Sequence, residues 1–104
     1  MGEYQVLMTE KAETDMENIY NYIALEDLAP EAAMAQYDRI ASQILTLSDM
    51  PARIRVMDAE PEHTLKVRKL SVDEYYILFQ IRGNQVIILR VMHCRQDIEG
   101  KLFE

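Results

Sequence analysis

Tyr4, Val6 and Met8 alternate with Glu3, Gln5 and Leu7, the period of two that a short strand requires. The period then changes. Ala12, Met16, Ile19 and Ile23 recur at helical spacing, while Asp15, Glu17, Asn18 and Asn21 fall off that stripe and are expected to face water. Thr9 is a good N-cap residue, and Glu10 and Glu13 place acid in the first turn, where the helix dipole favours it. A first helix is predicted over about residues 10–26. Pro30 suits the opening position of a second helix, since its missing N–H has no intrahelical partner to lose. Ala33, Tyr37, Ile40, Ile44 and Leu47 form its apolar stripe, and Pro51 ends it by pushing Met50 out of the helical region. The short link between the helices favours an antiparallel hairpin.

Residues 51–64 have no clean period and are predicted as a loop; Arg53 and Arg55 within it make it a candidate functional segment. Three strands follow: Leu65–Leu70, Tyr75–Ile81 and Val86–Met92, the last two joined through Gly83-Asn84, a hairpin signal. Their near-continuous apolarity predicts central strands covered on at least one face. The order is β-α-α-β-β-β, an α+β fold with the helical hairpin packed on one face of an antiparallel sheet. It predicts a single domain over 1–104, with a terminal tail or short helix from about residue 96.

The hairpin register stays open. A two-residue loop pairs Arg82 with Gln85 and sends Arg90 to the face of Ile77 and Phe79. A three-residue loop puts Arg90 with Tyr76, Leu78 and Gln80, which keeps the charge off the more apolar face.

Charge is divided unevenly. Residues 1–49 carry 10 acids and 2 bases, a balance of −8; residues 50–104 carry 8 acids and 9 bases, a balance of +1. The total of −7 argues against nonspecific coating of DNA, which depends on Lys and Arg neutralising phosphates. A local basic site on the second half remains compatible with it. No apolar run reaches the length of a membrane span, no secretory leader is expected, and the single cysteine fits a reducing cytoplasm.

The segment RVMHCRQD, residues 90–97, concentrates the candidate chemistry. His93 and Cys94 are neighbours on a strand, so their side chains point to opposite faces and make a poor nucleophile pair. His63, His93 and Cys94 match no zinc spacing, so neither metal nor cofactor is expected. Arg90 interrupts an apolar strand. It either snorkels to solvent from an open sheet face or is aimed at a phosphate or an acidic peptide. Arg68, Lys69, Arg90 and Arg95 all fall on the sheet half and are candidates for one basic patch, with Tyr76 on the neighbouring strand. The helical acids are expected to form a solvated face, and Tyr20, Tyr22 and Tyr37 to pack.

Three blocks carry a family resemblance. YQVLMTEKAETDMENIYNYIA (4–24) resembles the first strand and helix of the RelE/ParE toxin superfamily. VRKLSVDEYYILFQI (67–81) resembles its central strands, and VIILRVMHCRQDI (86–98) resembles the closing strand of the ParE branch, with His93, Arg95 and Asp97 in a His-x-Arg-x-Asp ending. The resemblance implies a cytoplasmic toxin of a type II toxin–antitoxin module, neutralised in a hetero-oligomer by a small antitoxin that wraps it. ParE-like members poison DNA gyrase, with growth arrest and plasmid stabilisation as consequences. RelE-like members cleave mRNA on the ribosome, using Arg and Lys side chains on the phosphodiester.

Where the nucleases tend to carry basic residues, this chain has Ser71 and Tyr76. The resemblance therefore implies the ParE branch, with Arg68, Lys69, Tyr76, Arg90, His93 and Arg95 as the surface that meets target or antitoxin. The alternative is a ribonuclease built on Arg68, Tyr76, His93 and Arg95. A third reading, prompted by the acidic total, is a non-toxic member that retains antitoxin binding.

Overall fold

The computed structural model describes residues 2–96. The predicted tail, apart from Gln96, lies outside them. The elements follow the expected order: β1 (Gln5–Met8), α1 (Glu10–Asn21) running into a π-turn (Tyr22–Glu26), α2 (Pro30–Thr46), a 3₁₀ turn (Pro51–Arg53), β2 (Arg68–Val72), β3 (Tyr75–Arg82) and β4 (Gln85–His93). None of the described helices is long and apolar enough to cross a membrane.

Local chemistry explains the helix boundaries. The Thr9 hydroxyl accepts the Ala12 N–H at 3.1 Å, and Glu10 and Glu13 occupy the first turn of α1. Pro30 opens α2. The Arg53 guanidinium closes its far end by donating to the carbonyls of Asp49 (2.7 Å) and Met50 (3.1 Å).

The sheet order is β1-β4-β3-β2. β2, β3 and β4 form the expected antiparallel meander, but β1 pairs with β4 in parallel, so the sheet is mixed. A parallel partner needs a long crossover, and everything between β1 and β4 supplies it. β2 begins later than predicted. Lys66 is left-handed (φ 56) and breaks the extended run, and the Val67 N–H is tied to the Glu62 carbonyl at 2.9 Å.

The helices cover one face. Ala12, Met16, Ile40, Ile44 and Leu47 pack on Ile77, Phe79, Val86, Ile88 and Val91. The other face is covered as well, by residues 54–67, most of the predicted loop together with the start of the predicted strand Leu65–Leu70. Val67 and Met57 pack on Leu78, Leu89 and Met92. The segment is latched by a Met57–Val67 backbone bond of 2.9 Å and by the buried Gln80 amide donating to the Leu65 carbonyl at 2.8 Å. This second layer explains why β3 and β4 are apolar at nearly every position.

The hairpin register combines both sequence alternatives. Arg82 pairs with Gln85 through a two-residue loop, with Gly83 left-handed (φ 58) as its first residue. A register shift then falls between Leu78 and Phe79: Phe79 pairs with Ile88, Leu78 with Arg90. Leu89 is the extra residue of a β-bulge. The bulge places Arg90 opposite Leu78, on the face that a three-residue loop would also have given it though not with the same partner, and so takes it out of line with Ile77 and Phe79.

Candidate functional site

The six candidate side chains do not form one basic patch. Arg90 is the clearest departure. Its Nε donates to Asp15 Oδ2 at 2.7 Å and a terminal nitrogen donates to Asp15 Oδ1 at 2.9 Å, a two-pronged pair whose side chains are only 14% and 12% exposed. Asp15 Oδ2 also accepts the Val91 N–H at 3.0 Å. β1 stops pairing with β4 at Ile88, so the β4 edge beyond it needs another acceptor, and Asp15 supplies one. The neighbouring Thr9 hydroxyl donates to the Leu89 carbonyl at 2.9 Å. Arg90 therefore neither snorkels to solvent from an open face nor offers its Asp15-bound nitrogens to a phosphate. Asp15, expected on a solvated face, is a largely covered structural acid, its side chain 12% exposed. The geometry suits a buried pair, since two parallel charge-assisted bonds plus a backbone donor offset much of the desolvation cost.

Arg68 is also committed. It lies opposite Phe79 and donates to the Ile54 carbonyl at 2.6 Å and the Ala52 carbonyl at 3.4 Å, tying β2 to the turn after α2. Lys69, next along the strand, points to the other face, with its Nζ 4.4 Å from the centre of the Tyr76 ring. Tyr76 pairs with Ser71 and Met92 and is part of the segment-covered face.

His93 and Arg95 sit together at the exit of β4. The His93 ring stands edge-on to Tyr75 at 5.2 Å between centres, with Nε2 3.3 Å from Glu74 Oε2. Its Nδ1 accepts the Arg95 N–H at 3.1 Å, which leaves the ring proton on Nε2 facing the Glu74 carboxylate. Gln96 completes the turn by accepting the His93 N–H at 2.8 Å. The Tyr75 hydroxyl is pushed above its usual range, chiefly by burial and then by the nearby charges of Glu74 and Asp27. The Arg95 side chain is exposed, with no hydrogen-bond or ion-pair partner among the described residues. Cys94 is exposed, its sulfur 4.0 Å from His93 Nδ1. Among the described residues no group of three or more His, Cys, Asp or Glu side chains is arranged to hold a metal.

Two features escaped the sequence. Asp15 as the partner of Arg90 had a faint signal, an acid directly beside Met16 of the buried stripe. Tyr22, expected to pack as Tyr20 and Tyr37 do against each other at 6.4 Å, is instead 62% exposed.

The sequence profile of the ParE toxin of the type II toxin–antitoxin system parDE matches residues 6–98. The chain belongs to the ParE toxin family. Among solved structures it is similar to a chain of the chromosomal ParDE toxin–antitoxin system from P. aeruginosa, at 25% identity and a TM-score of 0.71, covering 88% of this chain and 96% of that one. It also shares its fold with a chain of the RelBE2 toxin–antitoxin complex from Mycobacterium tuberculosis, at 22% identity and a TM-score of 0.62, covering 88% and 98%. No curated protein matched it. Membership makes this ParE-family chain a type II toxin–antitoxin toxin of the ParE/RelE superfamily.

Proposed function

We propose that this ParE-family toxin is a binding toxin that inhibits DNA gyrase in the cytoplasm and is neutralised by a cognate antitoxin. The observation that carries the choice is the sequestration of Arg90 by Asp15, with Arg68 similarly held on backbone carbonyls. Cleavage of a phosphodiester by 2′-hydroxyl attack needs a base, an acid and cations that reach the phosphate. The two candidate arginines within the strands, Arg68 and Arg90, are occupied by structural partners. His93, with its ring proton against Glu74, and the exposed Arg95 form a contact surface rather than an acid–base pair on one phosphate. The likeness to a ParDE system supports an antitoxin as the resident partner.

Purified toxin added to gyrase and relaxed plasmid is expected to block supercoiling or to accumulate cleaved DNA. No effect at micromolar toxin would end the gyrase reading.

A ribosome-dependent nuclease is the second reading, favoured by one observation: Lys69 and Tyr76 stack on the sheet face away from the helices. It predicts codon-positioned mRNA cuts after induction, lost in Tyr76→Phe. Growth arrest on expression without antitoxin separates both from a non-toxic member.

A further inference from the structure

The chain has two histidines, and their rings are held in opposite senses. At His63, Nδ1 lies 2.9 Å from the Met57 carbonyl. A carbonyl only accepts, so that nitrogen carries the ring proton. Protonating the ring leaves the bond in place. At His93, Nδ1 lies 3.1 Å from the Arg95 backbone nitrogen, which only donates. The ring nitrogen there must be bare, and protonation replaces its lone pair with an N–H. The same event spares one ring's bond and destroys the other's.

The bond at risk closes the exit of β4. Three bonds close the turn over His93–Gln96, and all of them end on His93. The Arg95 N–H meets Nδ1, the Gln96 N–H meets the His93 carbonyl at 2.9 Å, and the His93 N–H meets the Gln96 side-chain oxygen at 2.8 Å. Only the first of these holds Arg95. The ring accepts from the residue two positions on, as an Asn or Asp oxygen does in an Asx-turn. It differs from an Asn oxygen in that an imidazole titrates between about pH 5 and 8.

The ring itself is held. It stands edge-on to Tyr75 at 5.2 Å between centres, with Nε2 3.3 Å from Glu74 Oε2. Protonation keeps the Nε2–H facing that carboxylate, so the ring stays and the Arg95 backbone gives way. The His93 side chain is 28% exposed, so water delivers the proton. The other titratable or charged groups here, among the described residues, are Arg95 itself and Cys94, whose sulfur is 4.0 Å from Nδ1; Tyr22 and Asp27 act on the Tyr75 hydroxyl. The sulfur is a weak acceptor and offers the Arg95 N–H no substitute within the turn.

We propose that His93 is a proton-gated positioning residue for Arg95: its neutral ring fixes the Arg95 backbone, and protonation releases it. The contact surface at the β4 exit is then ordered above the histidine range and loosened below it. This deepens the binding-toxin reading, in which Arg95 meets the target.

Backbone ¹⁵N relaxation of the full chain tests the gate without gyrase, so a toxin that leaves gyrase untouched would sink the target reading and not this one. In the unmodified chain the Arg95 order parameter is expected to be about 0.85 at about pH 8 and to fall to about 0.6 or lower at about pH 5, with the midpoint of the His93 ring resonances. His93→Asn supplies an acceptor that does not titrate and is expected to keep Arg95 ordered at both pH values. His93→Phe keeps a ring against Tyr75 without an acceptor and is expected to leave Arg95 loose at both. Order at Arg95 that is unchanged while His93 titrates overturns the proposal, as does a turn already loose at the higher pH. An equal loss of order in His93→Asn also overturns it, because the proton would then act at another group.

Discussion

Arg90 and Arg95 stand on the same run of chain, and the sequence offers little to tell them apart. In the fold they have opposite fates. Arg90 is drawn against α1 by Asp15 just where β4 loses its β1 neighbour, whereas Arg95 projects from the turn after β4. The difference comes from the edge of the sheet. An unpaired strand edge needs acceptors, and a helix that starts beside it can supply them; a strand exit free of the helix leaves its cations available. A charge inside an apolar strand is therefore a better sign of a buried partner than of a ligand site, and the charge just past the strand is the better candidate for contact.

The comparison can be broken most severely at Asp15. Asp15→Ala removes the carboxylate that holds the Arg90 Nε and one terminal nitrogen and that accepts the Val91 N–H, and is expected to cost about 3–5 kcal/mol in urea denaturation. Replacing both members, Asp15→Leu with Arg90→Met, is expected to recover most of that loss, because the burial cost of the pair is then removed from both sides. A double variant as unstable as Asp15→Ala would show that the pair is not the source of the effect.

A smaller loss is expected at Thr9, which caps α1 and also binds the Leu89 carbonyl. Thr9→Ala should lower stability by about 1–2 kcal/mol, measured the same way. A value indistinguishable from zero would mean that solvent replaces the tie between α1 and β4.

Asp73 gives a weaker, pH-dependent effect. Its carboxyl is held below the ordinary 3.8, first by the Arg39 guanidinium at 2.8 Å and then by the Gln36 amide. A depressed folded value means that the contribution is present above the unfolded value and fades as pH falls through the lower folded one. Stability of the unmodified chain should therefore decline slightly more steeply below about pH 4 than that of Asp73→Asn. Parallel acid titrations would remove Asp73 from the account. Least of all is expected for Arg95→Ala, whose unfolding midpoint should shift by no more than about 0.5 kcal/mol.

Much of the fold was legible because its periods were clean. Ala12–Ile23 and Ala33–Leu47 carried the two helices, and Gly83-Asn84 marked the final hairpin. What escaped depended on nonlocal partners. The parallel pairing of β1 requires knowing which edge of β4 is free. The covering role of residues 54–67 has no period to read, since latches such as Gln80 to Leu65 are formed by single side chains. The bulge at Leu89 cannot be seen in a pattern that is apolar on both faces. Among the candidate site residues, His93 and Arg95 do come together, but Arg68 and Lys69 are turned to opposite faces of β2. Arg90 was misjudged because its acid lies on an element 75 residues away.

The most direct measurement compares supercoiling inhibition, per folded molecule, by Arg95→Ala and by the Asp15→Leu/Arg90→Met double variant. The account predicts that Arg95→Ala stays folded and loses inhibition by on the order of tenfold, while the double variant inhibits gyrase like the unmodified toxin. Full inhibition by Arg95→Ala together with an inactive but folded double variant would contradict it, by showing that Arg90 acts on the target and Arg95 does not.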